Sequence, residues 1–414
     1  CDGMKWRTRF RRLSAAEKHE VINDIFGGET AYNKFYDAVS VIYRIAEFVF
    51  LAAALLFGVV YIAANSDKIQ YSQFEYVAQN FAYTLEQNSG QRSYISFPKE
   101  GNSRFSLLGG GFAVCGNTNV SIYSAAGVRT AYKRHGLKDP IPVGSGRYLL
   151  IYENGGKNYK LYSPYSEMHS DTVEDRIYGA CVGADGSYLL ITENDDGAGG
   201  VLLYDKNFRL INRYTKYGKV ITAAISDDGA RVAIITVDVG NDGRFNSEVM
   251  FCTAGSGEAD SNAYIADALP LDCRFGDNGF TVLGDSSAFF FDTDGKLIAE
   301  SKYGTFDMAA IASDCVLTVT KNSGGRDGYA ASLYDAVGTI VWSGAFDGTP
   351  LAASVCSGSG FILTENYAVC VAAGRDPIRT DDISEIAAGD RIYAWSADEA
   401  YIGTQSHAAV VRFK

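Results

Sequence analysis

Apolar and polar positions along this chain follow three different rhythms. Phe48–Ala64 (FVFLAAALLFGVVYIAA) has no polar face at all: its seventeen residues carry no charge. As a helix rising about 1.5 Å per residue it would span about 25 Å, slightly short of a hydrocarbon core of about 30 Å. Val41, Ile42 and Tyr43 extend the run at its front. Arg44 and Glu47 lie one turn apart at the boundary, where Arg44 can snorkel to headgroups. A buried core helix is seldom apolar on every face over this length. Residues 41–64 are therefore expected to form a transmembrane helix.

The second rhythm is helical and flanks the first. Ser14-Ala-Ala-Glu17 has capping-box spacing and predicts a short helix to about Phe26, ended by Gly27-Gly28. Beyond the span, Tyr71–Asn88 places Phe74, Val77, Phe81 and Leu85 on one helical stripe. It predicts a stalk helix docking on the C-terminal domain rather than a dimer seam, since fewer than three heptads are present.

From about Arg92 the rhythm becomes period-two, broken by Gly/Asp/Asn turns, and it repeats. One cue is an apolar–aromatic–Asp/Ser step, as in Ile122-Tyr123-Ser124, Leu161-Tyr162-Ser163, Leu203-Tyr204-Asp205, Phe290-Phe291-Asp292 and Leu333-Tyr334-Asp335. Phe251-Cys252-Thr253 and Val369-Cys370-Val371 are weaker copies, and the intervals are 39, 42, 48, 39, 43 and 36 residues. A second cue is a strand, a turn such as Asp185-Gly186, Asp228-Gly229 or Asn278-Gly279, and a second apolar strand. A repeat near 40 residues with about four strands is the pattern of a propeller blade. Such a sheet must cover both faces with neighbours, so the ring has to close.

The expected fold is all-β: an eight-bladed β-propeller over residues 92–414, with seven blades as the alternative. Inner strands are placed from Phe105, Ile141, Ile177, Val220, Leu271, Met308, Leu351 and Ile386. Small residues at Gly179–Val182 and Ala223–Ile225 suit strands crowded at the axis. Arg92–Pro98 is expected to pair beside Ala408–Phe413 and close the ring. The remaining divisions are a basic tail with its short helix (1–40), the transmembrane helix (41–64), and stalk helix with linker (65–91).

Leu333-Tyr-Asp-Ala-Val-Gly338-Thr-Ile-Val-Trp342 resembles the quinoprotein-type repeat, in which an Asp, a Gly and a Trp lock adjacent blades. Phe291-Asp-Thr-Asp-Gly295-Lys-Leu-Ile is similar but lacks the Trp, and the chain has only three Trp, so the tryptophan-docking family proper is not matched. The WD dipeptide is also absent. The chain is thus similar to divergent WD40-like and quinoprotein-like propellers. Its layout resembles single-pass, membrane-anchored propeller proteins of Gram-positive bacteria with no assigned function.

Charge supplies an orientation. Residues 1–47 hold 8 Lys/Arg and 7 Asp/Glu, while 48–414 hold 29 against 42, a balance of −13. Lys5–Arg12, Lys34 and Arg44 precede the span, and only Lys68, beside Asp67, closely follows it. The N-terminus is expected in the cytoplasm and the propeller outside the cell membrane. A cleaved signal peptide is not expected, because the apolar core is too long and starts too late. Cys1 precedes a basic segment and a span, so it is read as an edge of the sequence rather than a lipidation site. The other Cys (115, 181, 252, 273, 315, 356, 370) are scattered at strand-like apolar positions without a CxxC. They are expected as buried thiols, neither disulfides nor a zinc site.

Chemistry is sparse. His19, His135, His169 and His407 lie far apart and are expected in surface loops. No hydrolase elbow, zincin helix, Walker loop or dinucleotide fingerprint is present. Asp238, Asn241 and Asp242 are weak calcium candidates because calcium favours hard oxygen ligands, but the EF-hand spacing is missing. The same residues suit an ordinary Asn/Asp/Gly hairpin. No cofactor is expected.

The loops at Glu193–Gly197, Asp238–Asn246 and Lys321–Gly328 all join second to third strands, which puts them on one face of the ring. Loops held by a rigid scaffold carry function, so Asp195, Asp196, Asp242, Arg244, Arg326 and Asp327 are the binding-face candidates. Three functions compete. The first is a membrane-tethered extracytoplasmic scaffold binding a protein or an envelope polymer, without catalysis. The second is a propeller enzyme, quinoprotein-like or a glycan-acting hydrolase, with paired carboxylates in the central channel. A sensor is the third, though residues 1–40 are short for a signalling domain. The acidic balance disfavours nucleic acid as a partner.

Overall fold

The computed structural model describes residues 30–64, 94–99, 103–108, 111–124, 127–216, 219–240, 243–277, 279–321, 328–380 and 389–413. The chain divides into two units, residues 1–71 and 72–414. The expected helices near Ser14–Phe26 and Tyr71–Asn88 lie outside the described residues.

In the first unit, helix α1 (Thr30–Ala64) runs 35 residues, about 52 Å at 1.5 Å per residue. It begins eleven residues ahead of Val41, because no Gly or Pro interrupts the chain from Thr30 to Phe57. Within it Val39–Gly58 is long and apolar enough to cross a membrane, and none of that stretch is buried against protein. Phe48, Phe50, Leu56 and Phe57 all lie exposed.

The second unit is a ring of eight four-stranded antiparallel sheets. Seven blades are continuous in sequence: 104–134, 140–172, 176–216, 219–266, 270–302, 308–346 and 350–380. The eighth joins 391–412 to the strand Tyr94–Ser96 from the other end of the domain. Tyr94, Ile95 and Ser96 pair with Ala409, Ala408 and His407, so the ring closes by strand exchange as expected. Phe105 then stacks on Tyr393 at 5.9 Å, and the Arg391 guanidinium donates to the Ser103 carbonyl, joining the first blade to the last.

Each blade's first strand is innermost, and first strands of neighbouring blades touch. Seven inner strands lie where the sequence placed them. The eighth described inner strand is Arg391–Ala394, and the expected start at Ile386 falls outside the described residues. The alternation of Ile392 and Ala394 provides its buried side.

The aromatic–Asp/Ser step marks the end of the third strand in blades one, two, three, five and six, and the turn after it explains the Asp. Asp335 Oδ1 accepts the amides of Val337 (3.0 Å) and Thr339 (2.8 Å), and Asp292 and Asp205 do the same for residues two and four ahead. One position before the second donor the backbone turns left-handed, at Gly338 (φ 83°) and Gly295 (φ 80°). A Cβ on Gly338 would lie 2.8 Å from the ring of Phe290 in the preceding blade, whose Ser301 hydroxyl donates to the Gly338 carbonyl at 2.9 Å. The turn therefore locks blade to blade. In the third blade Phe208 takes this conformation (φ 65°), against the usual steric cost, and its ring stacks on His169 of the second blade at 4.8 Å. Trp342, the third member of the quinoprotein-like pattern, packs half-buried into the cluster shared by blades six and seven.

Between the blades lie aromatic and β-branched layers. Alternation along a strand sends Phe290 to the side of the sixth blade and Phe289 and Phe291 to the fourth. None of the seven cysteines from Cys115 to Cys370 is in a disulfide among the described residues, and all but the half-buried Cys356 are buried, as expected. Burial pushes the pKa values of Tyr159, Tyr162, Tyr188, Tyr303 and Tyr401 up from their ordinary value, and Tyr159 and Tyr188 bond hydroxyl to hydroxyl at 3.0 Å. A raised folded-state pKa stabilises the fold fully below the unfolded-state value and progressively less above it. Stability is therefore expected to hold to about pH 10 and then fall steeply. Spectrophotometric titration followed beside circular dichroism checks this: these phenols should ionise only as the ring unfolds.

Candidate functional site

Antiparallel alternation fixes which connections share a face. Loops between second and third strands emerge with the links between blades, and the chain enters Tyr94–Ser96 from the opposite face. On the loop face the third blade's hairpin is organised by Asn194, whose Oδ1 accepts the amides of Asp196 (3.0 Å) and Ala198 (2.8 Å). That leaves the carboxylates of Asp195 and Asp196 exposed, with Asp195 3.4 Å from Arg176. Arg244 is exposed in the neighbouring hairpin, 3.3 Å from Asp267. Asp195 and Arg244 thus stand on adjacent blades of one face, each partnered within or just after its own blade. Asp238 is exposed, its Oδ1 accepting the Val239 amide at 2.8 Å. Asn241, Asp242, Arg326 and Asp327 lie outside the described residues.

Among the described residues the fourth blade's hairpin has the longest arms on this face, nine residues each (Arg231–Val239 and Phe245–Thr253). Its inner neighbour pairs only as far as Val237, so Asp238 and Val239 stand beyond it by about 7 Å at 3.4 Å per residue. Val239 and Phe245 face each other at the tip, 56% and 38% exposed.

The histidines do not converge, and among the described residues no group of three His, Cys, Asp or Glu side chains is placed to hold a metal. His135, His169 and His407 all depart from the surface-loop expectation: His169 and His407 are half-buried in strands, and His135 departs furthest. It is buried, its Nδ1 accepting from the Leu137 amide (3.1 Å) and its Nε2 donating to the Gly116 carbonyl (3.0 Å), which braces the link between the first two blades.

The axial channel holds what sequence reading missed. Four inner strands carry a β-bulge at their second or third residue, leaving Tyr178, Ile221, Leu271 and Leu351 without a partner in the adjacent strand. Tyr178, Leu271 and Leu351 are 47%, 45% and 37% exposed. An inner strand is covered by a blade on each side, so its open directions are the channel and the loop face. The repeated Pro-Leu opening of 270–271 and 350–351 was the available signal.

Further down the same strand as Leu271 lie Asp272 and Arg274, joined at 3.2 Å. Cys273 and Phe275, between and after them, pack toward the fourth blade. Arg274 Nη1 also donates to the Cys273 carbonyl at 3.2 Å, and its side chain remains 43% exposed. Arg274 stands in the middle of its blade's innermost strand and stays solvated although a blade covers each side, which puts it at the channel. Burial works against its charge, but Asp272 holds its pKa above the ordinary value.

The ring, its axial channel and its loop face define a β-propeller. Residues 85–376 match the family described as "Family of unknown function (DUF5711)", and the chain belongs to that family. No curated protein matches the sequence. Among solved structures it is similar to the Dos1 propeller, at 9% identity over 77% of this chain and 94% of that one, with a TM-score of 0.54. It is similar also to Saccharomyces cerevisiae Sqt1, at 8% identity over 78% and 98%, with a TM-score of 0.55. A streptogramin B lyase structure aligns at 12% identity over 78% and 97%, with a TM-score of 0.43. At these identities the likeness is one of fold, and it agrees with the divergent propeller recognised from the repeats.

Proposed function

We propose that this chain is a membrane-anchored scaffold whose propeller stands outside the cell membrane and holds a protein or an envelope polymer on its loop face. Anchorage is supported by α1, with the N-terminus on the cytoplasmic side by the charge asymmetry around it. The observation that carries the binding role is the fourth-blade hairpin, which lifts exposed Val239 and Phe245 above a face bearing Asp195, Asp196, Asp238 and Arg244. An apolar tip within a polar rim is the composition of a partner-binding surface. Glycan hydrolysis in the channel would need two facing carboxylates. The eight described inner strands supply one, Asp272, and it is paired with Arg274, so the geometry favours binding.

Crosslinking the full chain in intact native cells with a membrane-impermeant reagent tests both parts. The wild type is expected to capture a defined partner, and the double variant Val239→Ser, Phe245→Ser to lose it at equal expression. No labelling in intact cells overturns the outside location. Identical capture by the double variant overturns the loop face as the site.

A further inference from the structure

The channel residues carry an inference of their own, independent of what the loop face holds. We propose that the axial channel binds a small carboxylic acid with an apolar body, its carboxylate on Arg274 and its body among Tyr178, Ile221, Leu271 and Leu351. Three observations converge. Arg274 is the one cation in the middle of any described inner strand; Arg104, Arg176, Lys219 and Arg391 all stand at strand starts. Two contacts within the protein use one N–H on Nη1 and one on Nη2, and the side chain stays 43% exposed, so part of the guanidinium fork remains for a ligand. A carboxylate is the planar anion that fits this fork.

The bulged residues supply the rest of the site. Leu271 lies three residues from Arg274 on the same strand, about 10 Å at 3.3 Å per residue. Tyr178, Ile221 and Leu271 belong to consecutive blades and form an apolar arc, with Leu351 two blades further on. A bulge that recurs with a large apolar residue at one level of the ring is a built feature rather than a defect. Between arc and guanidinium the partly exposed residues are small: Gly179 and Ala180, Thr222, Ala352 and Ala353. A slender body fits there, and a single guanidinium selects a single carboxylate rather than a polyanion, which the net negative domain would repel. Asp272 holds the guanidinium in place while weakening its pull on an added anion.

The probe is 4-(4-fluorophenyl)butanoate, compared with its neutral amide, titrated by fluorine NMR against the full chain in nanodiscs, with empty nanodiscs subtracted. The acid is expected to bind saturably and about tenfold more tightly than the amide, the weight of one charge-assisted hydrogen bond. Arg274→Gln should abolish that preference and Arg274→Lys retain much of it. Asp272→Asn should tighten the acid alone, a gain that a purely structural role for Asp272 would not produce. Leu271→Ser with Leu351→Ser should weaken acid and amide together. Equal binding of acid and amide to the wild type, or no saturable binding, overturns the proposal without depending on any variant's folding. Loosened acid binding in Asp272→Asn also overturns it.

Discussion

Excising Tyr94–Phe97 from the full chain is expected to open the ring, and with it to cost the domain its cooperative unfolding. These residues add the fourth strand of the last blade through pairing with His407–Ala409 and through the Phe97 amide, which donates to the Ser406 carbonyl at 2.9 Å. Ile95 and Phe97 are buried in a cluster with Phe112, Val114 and Tyr123 of the first blade and Tyr401 and Ala408 of the eighth. Without them the edge at His407–Arg412 is bare, and a bare edge recruits other chains. Aggregation on gel filtration and a broad, early urea transition are the expected readouts. Ile95→Ala grades the same effect, with a loss of about 2–5 kcal/mol for a buried Ile truncated to Ala. A sharp transition at the wild-type midpoint for the excised chain would show that closure does not depend on this strand.

Phe290→Ala is expected to cost about 3–5 kcal/mol, the range for a fully buried Phe. The ring is 0% exposed, packs with Leu283, Val316 and Tyr334, and receives the backbone of Gly338 from the next blade. Its loss leaves a cavity that cannot collapse easily, because the left-handed turn at Gly338 is fixed by the two bonds to Asp335. Leu297→Ala in the same blade is the control: Leu297 is 42% exposed, and its truncation should stay within about 0.5 kcal/mol. Urea midpoints of the two variants make the comparison, and similar shifts would mean that the blades are not locked through Phe290.

Much of this was legible because propeller energetics are local and repeated. Five blades end the third strand with an aromatic for the interface and a side-chain acceptor for the turn. The step Leu333-Tyr334-Asp335 therefore announces both. Closure was legible for the same reason, since a sheet of three strands at the C-terminus required a fourth from elsewhere. Period does not fix where the eighth inner strand pairs: Arg391–Ala394 is set by its register against Ala400–Gly403. His135 was misjudged because two backbone groups brought near by the turn satisfy it, and no periodicity records them.

The candidate site divides along the same line. That the hairpin loops share a face follows from strand alternation alone, so Asp195 and Arg244 could be grouped from sequence. Their ion pairs with Arg176 and Asp267 could not. Nor could the channel: Leu271, Asp272 and Arg274 read as an unremarked inner strand until the ring sets that strand beside an axis facing blades far away in sequence.

The amino-acid sequence by itself determined an apolar helix, a forty-residue β repeat, the ring and its seam, because each depends on hydrophobic period and turn chemistry within a few dozen residues. Tertiary structure alone decided which side chains reach the channel, where the bulges stand and which charges meet. Those outcomes depend on one strand slipping by a residue against its neighbour and on blades brought together only when the circle closes.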